Sequence, residues 1–246
     1  MRSLAPLNGF KSMATQIVET ESTPVLVIAA LGRELAPLAR RSHAGLALIE
    51  TGEGPRNASR VLRSWLEKKS ARAVINIGFA GSLSPLLQIG DIVIACEVRS
   101  HAESFDTSAS QLFQLAERIQ NARSAVAITV DEIVCEAKAK RRMAESLAVN
   151  EIGWVDMESA AIASVCNSLE IPFLIARSIS DTFDEDLPLD FNRCRTSDGR
   201  VSPRKVVQSL IRRPRALKGL IELQRRSETC AEKLAAFISE LLPHIT

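Results

Sequence analysis

Two acidic residues 23 positions apart, Glu158 and Asp181, are placed to form a candidate active site. Carboxylates can give or take a proton, or accept hydrogen bonds from hydroxyls. In residues 154–183 the pattern predicts a helix opening at Met157 and Glu158, then a buried strand over 171–176. That strand ends in the polar step Ser178, Ile179, Ser180, Asp181. One carboxylate thus stands at the mouth of a helix and the other just past a strand's carboxyl end, where open α/β sheets bind their ligands. Each also has a plainer reading. The helix dipole alone favours Glu158 by about 0.3–1 kcal/mol, Asp181 suits a turn or an N-cap, and Met157 suits generic core filling.

The elements that would carry these acids follow from continuous apolar runs, the mark of strands buried on both faces. Residues 25–31 form the first such run, and Gly32, Arg33 and Glu34 break it before a helical pattern, so Glu34 also lies just beyond a strand's end. Seen alone, Glu34 suits an exposed first helical turn. Residues 46–49 form a second strand that closes on the Gly-rich turn Thr51-Gly-Glu-Gly-Pro-Arg-Asn57 and feeds a helix. Residues 73–77 form a third, ending in the turn Gly78-Phe-Ala-Gly-Ser82, and residues 92–95 and 125–130 are further strands. Helices are expected over 111–121 and 138–147, and 100–110 reads as a polar loop. Glycines between strand and helix let a ligand approach the backbone. Alternating strands and helices indicate an α/β fold with a central mixed, twisted sheet.

Bulk composition narrows the function. The 246 residues suit one large domain, and a net charge of +2 with 4% aromatic residues and no Tyr argues against nucleic acid. Five dispersed cysteines without a CxxC pair read as reduced thiols, and three histidines with no ligand spacing imply no metal. Residues 1–23 read as a flexible extension, with Met13 an alternative start, and lack the apolar core of a signal peptide. Residues 24–199 form the core domain. The tail over 200–246 holds ten Lys/Arg against four Glu. In it Ser202-Pro203 starts a helix, Pro214 breaks it, and an amphipathic helix follows over about 215–242. That helix either packs on the core through Leu217, Leu220, Ile221, Leu234, Phe237, Ile238 and Leu241 or lies on an anionic membrane surface.

Taken together, six segments resemble the purine nucleoside phosphorylases and the methylthioadenosine/S-adenosylhomocysteine nucleosidases. They are Val27-Ile-Ala-Ala-Leu-Gly-Arg-Glu34, Thr51-Gly-Glu-Gly-Pro-Arg-Asn-Ala58, Ile75-Asn-Ile-Gly-Phe-Ala-Gly-Ser-Leu83, Gly90-Asp-Ile-Val-Ile94, Val155-Asp-Met-Glu-Ser-Ala-Ala-Ile-Ala163 and Ile171-Pro-Phe-Leu-Ile-Ala-Arg-Ser-Ile-Ser-Asp181. The tail, with its Asp184-Glu-Asp-Leu-Pro-Leu-Asp-Phe191 loop, looks like the hopanoid-associated branch, which acts on adenosylhopane. The resemblance implies a three-layer α/β/α fold with a C-terminal helical extension, a cytoplasmic homodimer peripheral to the inner membrane face, and no cofactor, with phosphate as an alternative co-substrate to water.

The resemblance also implies roles. Asp181 would protonate adenine N7, provided burial or nearby negative charge keeps it protonated. Glu158 would hold the ribose hydroxyls, Met157 would pack beneath the sugar, and Glu34 would activate water. Phe79, Ala80 and Gly81, with the backbone at Ile133 and Val134, would line the base pocket. Arg33, Arg56 and His101 would lie on the phosphate or 5′ side, although a solvated loop position also explains His101. Phosphorolytic relatives carry Arg where this chain has Glu34 and Asn76, which favours water as nucleophile. Three functions compete: adenosylhopane cleavage, methylthioadenosine or S-adenosylhomocysteine cleavage, and a non-catalytic nucleoside-binding module.

Overall fold

The computed structural model describes residues 23–196 and 201–245. The extension read over residues 1–23 lies, apart from its last residue, outside the described residues. The chain runs β1 (Val25–Ala29), α1 (Gly32–Ala39), β2 (Leu46–Glu50), α2 (Pro55–Leu66), β3 (Ala73–Ser82), β4 (Ile92–Arg99) and β5 (Ser104–Asp106). It continues through α3 (Gln111–Glu117), β6 (Ala122–Thr129), α4 (Ala137–Ala144), β7 (Gly153–Asp156), α5 (Ser159–Ser168) and β8 (Phe173–Asp181). Three helices complete the described chain: α6 (Phe191–Cys194), α7 (Pro203–Arg212) and α8 (Ala216–Leu241).

The apolar runs fold as strands buried on both faces. In β1, Val25, Val27 and Ala29 face α1, α3 and α8, while Leu26 and Ile28 face α2 and α5. The result is the expected three-layer α/β/α arrangement about a mixed sheet. Strands β2, β1, β3 and β8 run parallel, and β4, β6 and β7 run against them. Because β8 pairs with β4, and β7 with β3, the pairings β3–β8–β4–β6–β7–β3 close on themselves. Closure of this kind needs long, curved strands.

Four local expectations are corrected. Residues 78–82 do not turn after a short strand; β3 continues through them, held by β8 on one side and β7 on the other. The strand read over 171–176 runs on to Asp181 as β8. The four-residue β7 was not foreseen, and α5 opens at Ser159 with Glu158 as its N-cap. The loop read over 100–110 contains β5, paired back on β4. In the tail, α7 starts at Pro203 as expected. The second half of α8 packs through Leu234, Phe237, Ile238 and Leu241, but Leu217 and Ile221 in its first half are exposed.

Candidate active site

Glu34 lies three residues inside α1, close enough to fold back on the helix start. Its Oε2 accepts the Leu31 N–H at 2.8 Å, one half of a capping box. Its Oε1 accepts the Phe79 N–H at 3.1 Å, tethering α1 to β3. The side chain is buried, and that burial raises its pKa above the usual carboxylate range despite the two N–H donors and the nearby Arg177 and Arg33. Gly78 permits this approach: a Cβ there would come within 3.1 Å of Glu34 Oε1.

Glu158 is delivered by the β7–α5 junction. Its Oε1 accepts the N–H of Gly54, from the Gly-rich turn after β2, at 2.7 Å. Gly54 has φ +92°, which glycine tolerates and other residues resist. Burial first, then the charge of Asp156, pushes the Glu158 pKa up to about 7. Beneath it runs a network that sequence reading missed. Arg177, 1% exposed, pairs with Asp156 at 2.8 Å. It also donates to Asn76 Oδ1 at 2.6 Å and to Ser159 Oγ at 3.0 Å. A lone Arg in the apolar run of β8 was the available signal.

Asp181 ends β8, and a bulge aims it. Ala80 pairs with Ile179 but Gly81 with Asp181, so Ser180 is the extra residue. Bulges near active sites commonly re-aim a side chain in this way. Gly81 must be glycine here, since a Cβ would lie 2.9 Å from Asp181 Oδ2. Ser180 Oγ donates to Asp181 Oδ1 at 2.7 Å, and Lys140 Nζ from α4 binds Oδ2. The sequence reading asked for burial or negative charge beside Asp181. Burial is present, but the close neighbour is a cation.

The remaining residues fall as follows. Met157 is buried next to Glu158, and Phe79 and Ala80 lie on β3 between Gly78 and Gly81, the two glycines that admit the Glu34 and Asp181 carboxylates. Gly78 and Gly81 are three residues apart, about 10 Å along the strand. The Arg33 guanidinium sits over the Phe79 ring at 5.8 Å. Arg56 is exposed at the start of α2 beside the Gly54 turn. Ile133 is corrected in part: its N–H and C=O are already paired with the Asn192 carboxamide at 2.9 and 2.8 Å. Val134 and Ile133 do line one recess of about 440 Å³. His101 takes the solvated loop position that the sequence also allowed. It is exposed on the β4–β5 turn, and β4 runs antiparallel to β8 from Ile92 opposite Ser178, which carries that turn away from the chain's own Asp181. Among the described residues no group of His, Cys, Asp and Glu is arranged to hold a metal ion.

The mixed sheet between two layers of helices defines an α/β protein, with Glu34, Glu158 and Asp181 carried at the ends of its strands and helices. The chain belongs to the phosphorylase superfamily, whose family model matches residues 42–212. It is similar to the 5′-methylthioadenosine/S-adenosylhomocysteine nucleosidase of Shewanella sediminis, 30% identical over 187 residues covering 67% of this chain and 80% of that one. The nucleosidase of Shewanella frigidimarina is 32% identical over 169 residues, 60% of this chain and 73% of that one. The fold matches the Neisseria meningitidis nucleosidase in complex with methylthio-immucillin-A, with TM-score 0.66, 22% identity, and coverage of 91% of this chain and 100% of that one. It also matches Helicobacter pylori futalosine hydrolase, with TM-score 0.67, 17% identity, and coverage of 90% and 98%. The chain is accordingly an enzyme, an N-ribosyl hydrolase or phosphorylase.

Proposed function

We propose that this enzyme hydrolyses the N-glycosidic bond of a 5′-substituted adenosine, releases adenine, and takes adenosylhopane as its substrate. What supports the reading is three carboxylates at the ends of neighbouring elements: Glu158 feels the charge of Glu34, and Asp181 is paired with a buried ammonium. Breaking the bond leaves positive charge on the ribose and an electron pair on the departing base. Ionised Glu158 accepts hydrogen bonds from the ribose hydroxyls and favours the developing sugar cation. Asp181 passes a proton to the base, and such transfer contributes about 10²–10⁴-fold in rate. Glu34, raised toward neutrality by burial, takes a proton from the attacking water.

Water is favoured over phosphate by the state of Arg177, the buried guanidinium beside Glu34 and Glu158. The Arg177 guanidinium is committed to Asp156, Asn76, Ser159 and two backbone carbonyls, so it does not offer the open fork that suits an oxyanion. An apolar 5′ group is supported by the tail surface. From residue 201 to 221 there are six Lys/Arg and no acid. Val207, Ile211, Leu217 and Ile221 are exposed among them. Apolar side chains flanked by cations suit an anionic membrane surface, and peripheral contact there would bring the enzyme to a lipidic substrate. Among the described residues no helix is long and apolar enough to cross a membrane. A homodimer completes the reading, with the His101 turn serving the partner's 5′ side.

The test is adenine release from adenosylhopane, 5′-methylthioadenosine and S-adenosylhomocysteine, with and without phosphate. Fastest turnover of adenosylhopane to the free sugar supports the proposal. Preference for either sulfur nucleoside supports the second reading, which the Shewanella relatives favour. A phosphorylated sugar product would overturn hydrolysis, and binding without any adenine release would leave a nucleoside-binding module.

A further inference from the structure

Lys140 has no part in the chemistry above, yet it is 0% exposed and fully engaged. An ammonium has three N–H donors. Here they meet Asp181 Oδ2, the Thr182 carbonyl at 2.8 Å and the Glu185 carbonyl at 3.1 Å. With Ser180 Oγ on Oδ1, Asp181 receives a donor on each oxygen. That arrangement complements a carboxylate, which has no proton of its own to give. Fold stability explains the pair poorly, because apolar residues of similar volume usually do as well as a buried ion pair. The leaving base, however, needs a proton at this place.

We propose that Lys140 is the proton source for the leaving base, acting through Asp181. The proposal rests on the glycosidic-bond chemistry of the preceding section. As the C1′–N9 bond breaks, its electron pair stays with the purine. A Lys140 N–H bond breaks and an Asp181 O–H bond forms; that O–H then breaks as the proton binds purine N7. The purine leaves neutral, Asp181 is again a carboxylate, and Lys140 is a neutral amine. Water adds to the sugar and its proton goes to Glu34, so charge and protons balance. When the purine has gone, Glu34 returns its proton to solvent and Lys140 recovers one through Asp181. Lysine can release its proton in this way, whereas arginine cannot.

The other titratable groups facing the pair leave this role to Lys140. The Cys135 and Cys230 thiols feel the Asp181 charge, but burial pushes both above the ordinary thiol range, so they stay neutral. The Glu185 carboxylate is taken by Arg226 from α8 at 2.7 and 2.8 Å. Asp186 Oδ1 accepts the Ala137 N–H at the start of α4 at 2.7 Å.

The experiment compares Lys140→Met and Lys140→Arg with the wild type on two substrates. One is 5′-methylthioadenosine, whose adenine needs a proton to leave. The other is the 4-nitrophenyl riboside with the same 5′-methylthio group, whose nitrophenolate leaves as an anion. At about pH 8 both variants should lose adenine release by about 100-fold, while nitrophenolate release changes by less than about 3-fold. Equal losses on both substrates would overturn the proposal by making Lys140 structural. Full recovery of adenine release in Lys140→Arg would also overturn it, by showing that charge alone suffices. If Lys140→Met does not fold, Lys140→Arg decides the matter by the same contrast. A wild type that releases nitrophenolate but no adenine, from 5′-methylthioadenosine or from adenosylhopane, would sink the adenosine reading itself, and this proposal with it.

Discussion

The candidate site has two unlike ends, three residues apart on β3. At the Gly78 end, Glu34 and Glu158 are held by backbone N–H groups; burial pushes both toward neutrality, and like charge adds to the push on Glu158. At the Gly81 end, Asp181 is gripped by a buried ammonium and a hydroxyl. The same functional group is thereby given separate work: environments that set carboxyl groups apart assign acid and base roles. Groups raised toward neutrality can take a proton from water or grip hydroxyls, and a carboxylate tied to a cation can pass a proton it does not itself store.

The largest effect should come from breaking the Gly81 end at its centre. Asp181→Asn keeps the shape and leaves Lys140 a carbonyl oxygen to bind, but it cannot relay a proton. Adenine release should fall by about 10³-fold, with the melting temperature changed far less than by a core deletion. Steady-state kinetics with a thermal melt checks this, and undiminished turnover would remove Asp181 from the chemistry.

Glu34→Gln tests the opposite end and comes next. Loss of the base should slow hydrolysis by about 10²-fold or somewhat more. Added phosphate should not restore the rate, since Arg177 is already committed. Product analysis showing ribosyl phosphate from the variant would mean that phosphate had been the nucleophile.

Glu158→Gln should cost up to about 10²-fold in kcat/KM, and it carries a pH signature. With a pKa of about 7, Glu158 is protonated below neutrality and accepts fewer hydroxyl bonds, so wild-type kcat/KM should rise as pH passes through about 7. The variant should lack that limb. Stability runs the other way. The folded-state value lies above the ordinary glutamate value of 4.5, so the native state binds the extra proton between about 4.5 and 7. Stability is then greatest below that window and falls across it, by on the order of 2–3 kcal/mol. Glu158→Gln should flatten this decline in denaturant melts taken at several pH values; an unchanged slope would assign the decline to other groups.

The Gly78 end was the more legible in sequence. Glu34 follows an apolar run two residues after Gly32, and Glu158 stands where a helix opens, features that local pattern exposes. The layered fold was legible for the same reason. Lys140 was hidden because its partner lies 41 positions away and its helix reads as a charged surface. The bulge at Ser180 leaves no mark on a two-residue alternation, and β7, at four residues, is too short to announce itself. In α8, periodicity marked Leu217 and Ile221 as apolar positions alongside Leu234 and Ile238, but periodicity does not say what covers a face. Only the second pair meets the core.

The two glycines offer the finest comparison, because each substitution adds one methyl group to one end of the site. At Gly81 a Cβ would stand 2.9 Å from Asp181 Oδ2 and 3.3 Å from Val155 Cγ1, so the carboxylate is pushed from Lys140 with a packed side chain behind the intrusion. At Gly78 the contact with Glu34 Oε1 is 3.1 Å, and the next atoms, Glu34 Cδ and Arg177 Nε, stand off at 3.6 and 3.7 Å. Gly81→Ala should therefore cost about 10-fold in adenine release and Gly78→Ala about 3-fold, small displacements of a positioned group being enough to slow a reaction. Gly81→Ala should spare the nitrophenyl riboside, which bypasses the proton, while Gly78→Ala should slow both substrates alike because both need the water. Equal behaviour of the two variants on the two substrates would mean that the ends of the site do not divide the work.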